Sequence, residues 1–188
     1  MEAFFVSVSS IAIAEIGDRT QLLSLVLAAR YRRPVPILAG ILCATLANHG
    51  IAGLLGNWFG DLFKPKALDV AVGVSMLAMA LWTLKPDRLE EDSVTRPAAG
   101  AFVATLTSFF VAEIGDKTQI ATLALAAAYP NLLAVVCGTT LGMLIANAPV
   151  VLLGKSFAAR LPLRAIHVGA AVLFAILGCL FIARALWH

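Results

Sequence analysis

The chain has 188 residues, 61% of them hydrophobic and only 13% charged, with a mean hydropathy of +0.92. A soluble domain carries about half apolar and a quarter charged residues, so a water-soluble globular protein is excluded and an all-α integral membrane protein is expected. The net charge of +3 and pI near 9.0 do not indicate a nucleic-acid partner, because Lys and Arg sit in short loops between apolar runs rather than on a face interleaved with aromatics.

Apolar runs predict six membrane-spanning helices near residues 3–29, 35–56, 67–84, 100–128, 132–153 and 165–187, close to the ~20 residues that cross a bilayer. The first and fourth runs are longer and carry polar residues in the middle, so each must tilt, kink or break. Glu2 stands where a secretory signal would be basic, and the mature chain is expected to start at Met1. One set of loops holds Arg30, Arg32, Arg33, Lys85, Arg88, Arg96, Lys155, Arg160 and Arg164, whereas the other holds Lys64, Lys66 and Arg184. That asymmetry places the first set in the cytoplasm and both termini outside. Residues 85–99, with Asp87, Glu90, Glu91, Asp92 and two Pro, read as a solvated cytoplasmic linker. Cys43, Cys137 and Cys179 show no ligand spacing and are expected as buried small hydrophobes.

The sequence Glu15-Ile16-Gly17-Asp18-Arg19-Thr20-Gln21 recurs 98 residues later as Glu113-Ile114-Gly115-Asp116-Lys117-Thr118-Gln119. Looser echoes pair Gly40 with Gly138, Asn48 with Asn147 and Gly56 with Gly154. Each half then contributes three spans: residues 1–84 form one repeat and 100–188 the other, joined by the 85–99 linker. Three is odd, so the second repeat enters from the opposite side and the two are inverted, an arrangement that places ion sites near the midplane.

Charge at the depth of Glu15, Asp18, Arg19, Glu113, Asp116 and Lys117 costs roughly 2.5 to 3.5 kcal/mol per Asp, Lys or Arg at a helix centre, so such groups face a protein interior or a wet cavity. In a continuous helix Glu15, Asp18 and Arg19 share one face, as do Glu113, Asp116 and Lys117. Bringing the motifs together assembles four carboxylates, an oxygen-rich site suited to Mg²⁺, Ca²⁺ or Mn²⁺. Thr20, Gln21, Thr118 and Gln119 add neutral oxygens, and Asn48 and Asn147 could reach in. Four carboxylates and two basic groups leave −2, which one divalent cation or two protons neutralise, so metal and proton compete. Gly17 and Gly115 mark either close packing or a kink. The bland alternative makes Glu15–Arg19 and Glu113–Lys117 structural ion pairs. His49 reads as a packing residue, and Gly40, Gly50, Gly53, Gly138, Gly142, Gly169 and Gly178 as close-packing positions.

Two copies of E-x-G-D-[KR]-T in a six-span chain resemble the Gcr-dependent translation factor family of cation/proton antiporters, which includes bacterial manganese exporters. The resemblance covers essentially the whole chain. It implies transport of Mn²⁺ or Ca²⁺ against protons, with Glu15, Asp18, Glu113 and Asp116 carrying the metal, and with Arg19, Thr20, Lys117 and Thr118 filling the remaining motif positions. Eukaryotic members have an N-terminal extension and a longer central loop, so this chain looks like a compact bacterial form of the inner membrane. The metal is transported cargo and no cofactor is expected; monomer and homodimer both stay open. The leading expectation is Mn²⁺ export driven by inward proton flow, with a Ca²⁺/H⁺ antiporter, a cation channel and a membrane scaffold as alternatives. An enzyme is not expected, because no nucleophile, base and orienting group come together.

Overall fold

The computed structural model describes residues 1–85, 100–154 and 162–187. Eight helices and no strand occur among them: α1 (Glu2–Glu15), α2 (Arg19–Tyr31), α3 (Pro34–Leu62), α4 (Pro65–Thr83), α5 (Ala101–Glu113), α6 (Lys117–Ala128), α7 (Leu132–Leu153) and α8 (Leu163–Trp187). Of the linker expected over 85–99 only Lys85 is described, and Lys155 and Arg160 also lie outside the described residues.

Helices α3, α4, α7 and α8 are each long and apolar enough to cross a membrane. The first and fourth apolar runs are each divided instead, into α1 with α2 and α5 with α6, and every piece is at most 14 residues long. At about 1.5 Å per residue such a helix covers about 21 Å, short of a hydrocarbon core of about 30 Å.

Proline sets several starts: Pro34 and Pro65 occupy the first turns of α3 and α4, where a missing N–H costs nothing. Helix α3 runs to Leu62, past the expected end at 56. The reason is packing, because a methyl built at Gly60 would lie 2.8 Å from Ala127 O of α6 and one at Gly56 would meet Leu123 O. Those glycines let two backbones touch instead of ending the helix.

Small residues also fix the directions of neighbouring helices. A methyl at Gly138 would lie 2.7 Å from Phe4 O, and one at Gly142 2.7 Å from Val8 O, so α1 and α7 run the same way. Gly40 faces Phe102 O at 2.9 Å, and Asn48 Nδ2 donates to Phe110 O at 3.0 Å, so α3 and α5 also run together. Gly73 and Gly178 meet back to back, with Gly73 against Ile182 and Gly178 against Leu77, so α4 and α8 run in opposite senses. Gly50 and Gly169, expected as close-packing positions, differ: a Cβ added at either would meet nothing within 4 Å among the described residues.

Ile11, Leu23, Leu27, Ile41, Met76, Phe109, Met143 and Phe174 fill the core with almost no exposure. Leu, Val, Ile and Trp side chains cover much of the outside, the reverse of a soluble fold and the pattern of a surface solvated by lipid. The three cysteines are free and exposed rather than buried. They sit on that outer surface because an apolar solvent places no premium on hiding a small hydrophobe.

Candidate ion-binding site

The seven-residue motifs are where the two helices break. Helix α1 ends at Glu15, Ile16 is extended (φ −67°, ψ 119°), Gly17 takes φ +86°, and Asp18 caps α2. The second copy repeats this: α5 ends at Glu113, Ile114 is extended (φ −63°, ψ 118°), Gly115 takes φ +73°, and Asp116 caps α6. Positive φ is open to glycine at little steric cost, so Gly17 and Gly115 are kink residues. The expectation that each motif presents one continuous helical face is corrected, because the helix stops between the Glu and the Asp.

Each break is stapled by its own glutamine. Gly17 N donates to Gln21 Oε1 at 2.8 Å, and Gly115 N to Gln119 Oε1 at 2.7 Å. The side chain at the third helical position thus reaches back to a backbone amide that the stopped helix leaves without a partner, in the manner of a capping box. The remaining amide groups tie the staples to neighbouring helices: Gln21 Nε2 donates to Ala146 O at 2.9 Å and Gln119 Nε2 to Asn48 Oδ1 at 3.4 Å.

The two breaks face each other. Glu15, Asp18 and Asp116, all buried, can each place one carboxylate oxygen within 4.8 Å of the others. The basic residues pair across the motifs: Lys117 Nζ lies 2.7 Å from Asp18 Oδ1, and Arg19 Nη2 lies 3.1 Å from Asp116 Oδ1. This corrects the alternative of Glu15–Arg19 and Glu113–Lys117 pairs, which required an unbroken helix. Thr118 Oγ1 donates to Asp116 Oδ2 at 3.3 Å, while the buried Thr20 hydroxyl has no hydrogen-bond partner among the described residues.

Glu113 stands apart from the group of three, although it too is buried; its Oε1 accepts from Thr45 Oγ1 at 2.9 Å. On the other side Asn147 Nδ2 lies 3.4 Å from Glu15 Oε1 and donates to Met143 O at 3.0 Å, while Asn147 Oδ1 accepts from Ser24 Oγ at 2.6 Å. Each asparagine therefore touches the motif acid nearest it, Asn147 with Glu15 and Asn48 with Glu113, and Asn48 also bonds the α5 backbone and Gln119. His49 is fully buried, and neither ring nitrogen has a hydrogen-bond partner among the described residues. Thr45 and Ser24 were not singled out from sequence; the spacing of Thr45 three residues before Asn48, and of Ser24 three after Gln21, is the one signal that could have flagged them.

The arrangement suits a hard cation. Glu15 and Glu113 close helix C-termini, whose free carbonyls carry partial negative charge and favour a cation, while Asp18 and Asp116 stand at the N-caps of α2 and α6. Oε2 of Glu15 and Oε2 of Glu113 are buried and have no hydrogen-bond partner among the described residues, and buried polar atoms of this kind call for a ligand.

An apolar, all-helical chain that concentrates buried charge at two helix breaks has the plan of a membrane transporter. Sequence comparison makes the class specific: the family model described as divalent cation/proton antiporter GDT1 matches residues 3–91 and 101–187, and the chain belongs to that family. It is 52% identical over 176 residues to a Vibrio cholerae protein named "Putative manganese exporter", covering 93% of this chain and 87% of that one. A GDT1-like protein of Synechocystis is 30% identical, with 93% of each chain covered. GDT1-like protein 5 of Arabidopsis thaliana is 27% identical, with 95% of this chain and 94% of that one covered. No solved structure matches. The family transports ions and is not enzymatic.

Proposed function

We propose that this antiporter exports Mn²⁺ in exchange for protons across a bacterial inner membrane, with Ca²⁺ as the competing cargo. The observation that carries the reading is the convergence of Glu15, Asp18 and Asp116, contributed by both motifs, within one buried group. Glu113 supplies the fourth acid, moving from Thr45 into the site as the ion passes. Asn147, Thr20, Thr118, Gln21, Gln119 and Asn48 support the acids, and Arg19 and Lys117 offset two of the four carboxylate charges. The 52% identity to a protein named for manganese export supports Mn²⁺ over Ca²⁺; an oxygen-rich ligand set suits both ions.

In this reading α1 with α2, and α5 with α6, each cross the membrane once as a broken helix, giving six spans in two inverted repeats. The matched directions of α1 with α7 and α3 with α5 support it, as do the two separate stretches matched by the family model. Both termini then lie outside. The net charge of −2 on the empty site predicts about two protons exchanged per metal ion.

The test is flux in proteoliposomes with an imposed pH gradient, Mn²⁺ and Ca²⁺ supplied separately. Uphill Mn²⁺ movement that collapses with the gradient supports the reading. Flux only down the metal gradient would mean a channel, and preference for Ca²⁺ would reassign the cargo.

A further inference from the structure

We propose that the start of α8 is a gate over the first motif, and that His167 is the residue that seats it. The proposal rests on reading the two helix breaks as the two sides of one transport site. The breaks have the same backbone but different surroundings. At Gly17 an added Cβ would lie 2.7 Å from His167 Nε2 and 2.9 Å from Leu163 Cδ2, so the imidazole and the leucine fill the room a side chain would need. At Gly115 an added Cβ would meet nothing within 4 Å among the described residues.

Burial follows the same division. Gly17 is buried and Ile16 half-buried, whereas Gly115 is exposed and Ile114 is 57% exposed; the division is confined to the turn itself, since Asp18 and Asp116 are both buried. One break is covered and its repeat partner is open, which is the asymmetry a carrier of two inverted repeats shows in one of its end states.

The position 98 residues before His167 is Asp69 on α4, at the offset that relates the motifs. Asp69 is also buried, but it is directed to α8, where Arg184 Nε lies 3.3 Å from Asp69 Oδ2. Helix α8 therefore carries two contacts near its two ends, His167 on the first break and Arg184 on α4. At about 1.5 Å per residue they are about 25 Å apart along one straight element. A tilt of α8 that lifts His167 from Gly17 also acts on the Asp69–Arg184 pair, so the helix is a lever whose two ends move together.

The experiment labels Thr20→Cys, a fully buried position three residues beyond Gly17, with a membrane-impermeant maleimide in proteoliposomes. The background has Cys43, Cys137 and Cys179 replaced by Ala. His167→Ala is expected to raise the labelling rate about tenfold by shifting the gate toward open, and Leu163→Ala to raise it less, while Thr118→Cys in the second motif gains nothing. An unchanged Thr20→Cys rate in both variants, with the thiol reactive once the protein is denatured, would overturn the gate. An equal rise at Thr118→Cys would also overturn it, because that signals general loosening. Labelling does not depend on the cargo: the expected pattern in a protein that moves no Mn²⁺ would support the gate and remove only the Mn²⁺ reading.

Discussion

Lys117 and Asp18, from opposite halves of the chain, form an ion pair of 2.7 Å with side-chain exposures of 1% and 0%. Its repeat partner, Arg19 with Asp116 at 3.1 Å, leaves Arg19 36% exposed. Removing one member of a buried pair strands a charge at a cost of about 3–5 kcal/mol; Arg19→Gln also leaves the buried Asp116, 4% exposed, without its partner, but Arg19 is already partly solvated and its pair is worth less. Lys117→Met is therefore expected to lower the melting temperature in detergent far more than Arg19→Gln, and adding Asp18→Asn to Lys117→Met to recover part of the loss. Equal effects of the two single substitutions would contradict this.

Gly17→Ala and Gly115→Ala share one penalty, since both residues sit at positive φ, where a non-glycine residue costs about 1–3 kcal/mol when the surroundings force it. Only Gly17 adds a clash, with His167 Nε2 and Leu163. Thermal unfolding of both variants should show Gly17→Ala as the more damaging, with His167→Ala relieving part of its deficit and none of that of Gly115→Ala.

The glutamine staples differ in burial. The Gly17–Gln21 bond is buried and the Gly115–Gln119 bond is exposed, so water can replace the second partner but not the first. Gln21→Ala is expected to cost about 1–3 kcal/mol, the desolvation of an unpaired amide, and Gln119→Ala less. Hydrogen exchange at the Gly17 amide should quicken in Gln21→Ala.

Protons and metal bind the same carboxylate oxygens, so the apparent Mn²⁺ affinity of the purified protein is expected to fall as pH falls. With two protons displaced per ion, the logarithm of the affinity should rise by up to about 2 per pH unit. A pH-independent affinity measured by calorimetry would remove proton competition from the mechanism.

Much of the site was legible from residues alone. Glu15, Asp18, Glu113 and Asp116 stood out because charge is costly inside apolar runs, and their duplication pointed to one shared function. The break itself was not legible, because a long run of apolar residues looks the same whether the helix continues or stops, and Gly17 alone does not reveal its φ. Cross-motif pairing followed from that break, since turning the chain between Glu15 and Asp18 carries Arg19 away from Glu15 and toward Asp116. The separation of Glu113 depends on Thr45, which lies 68 residues away in the chain, and long-range partners leave no local trace. His167 was invisible for the same reason: nothing near it in sequence resembles a motif.

Mn²⁺ binding to the purified protein, counted per chain by equilibrium dialysis at neutral pH, tests most directly whether both motifs build one site. One Mn²⁺ per chain, lost in Glu15→Gln, in Asp18→Asn and in Asp116→Asn taken singly, is the predicted result. Two ions per chain, or one ion retained when either motif alone is disabled, would show separate sites and contradict a shared one.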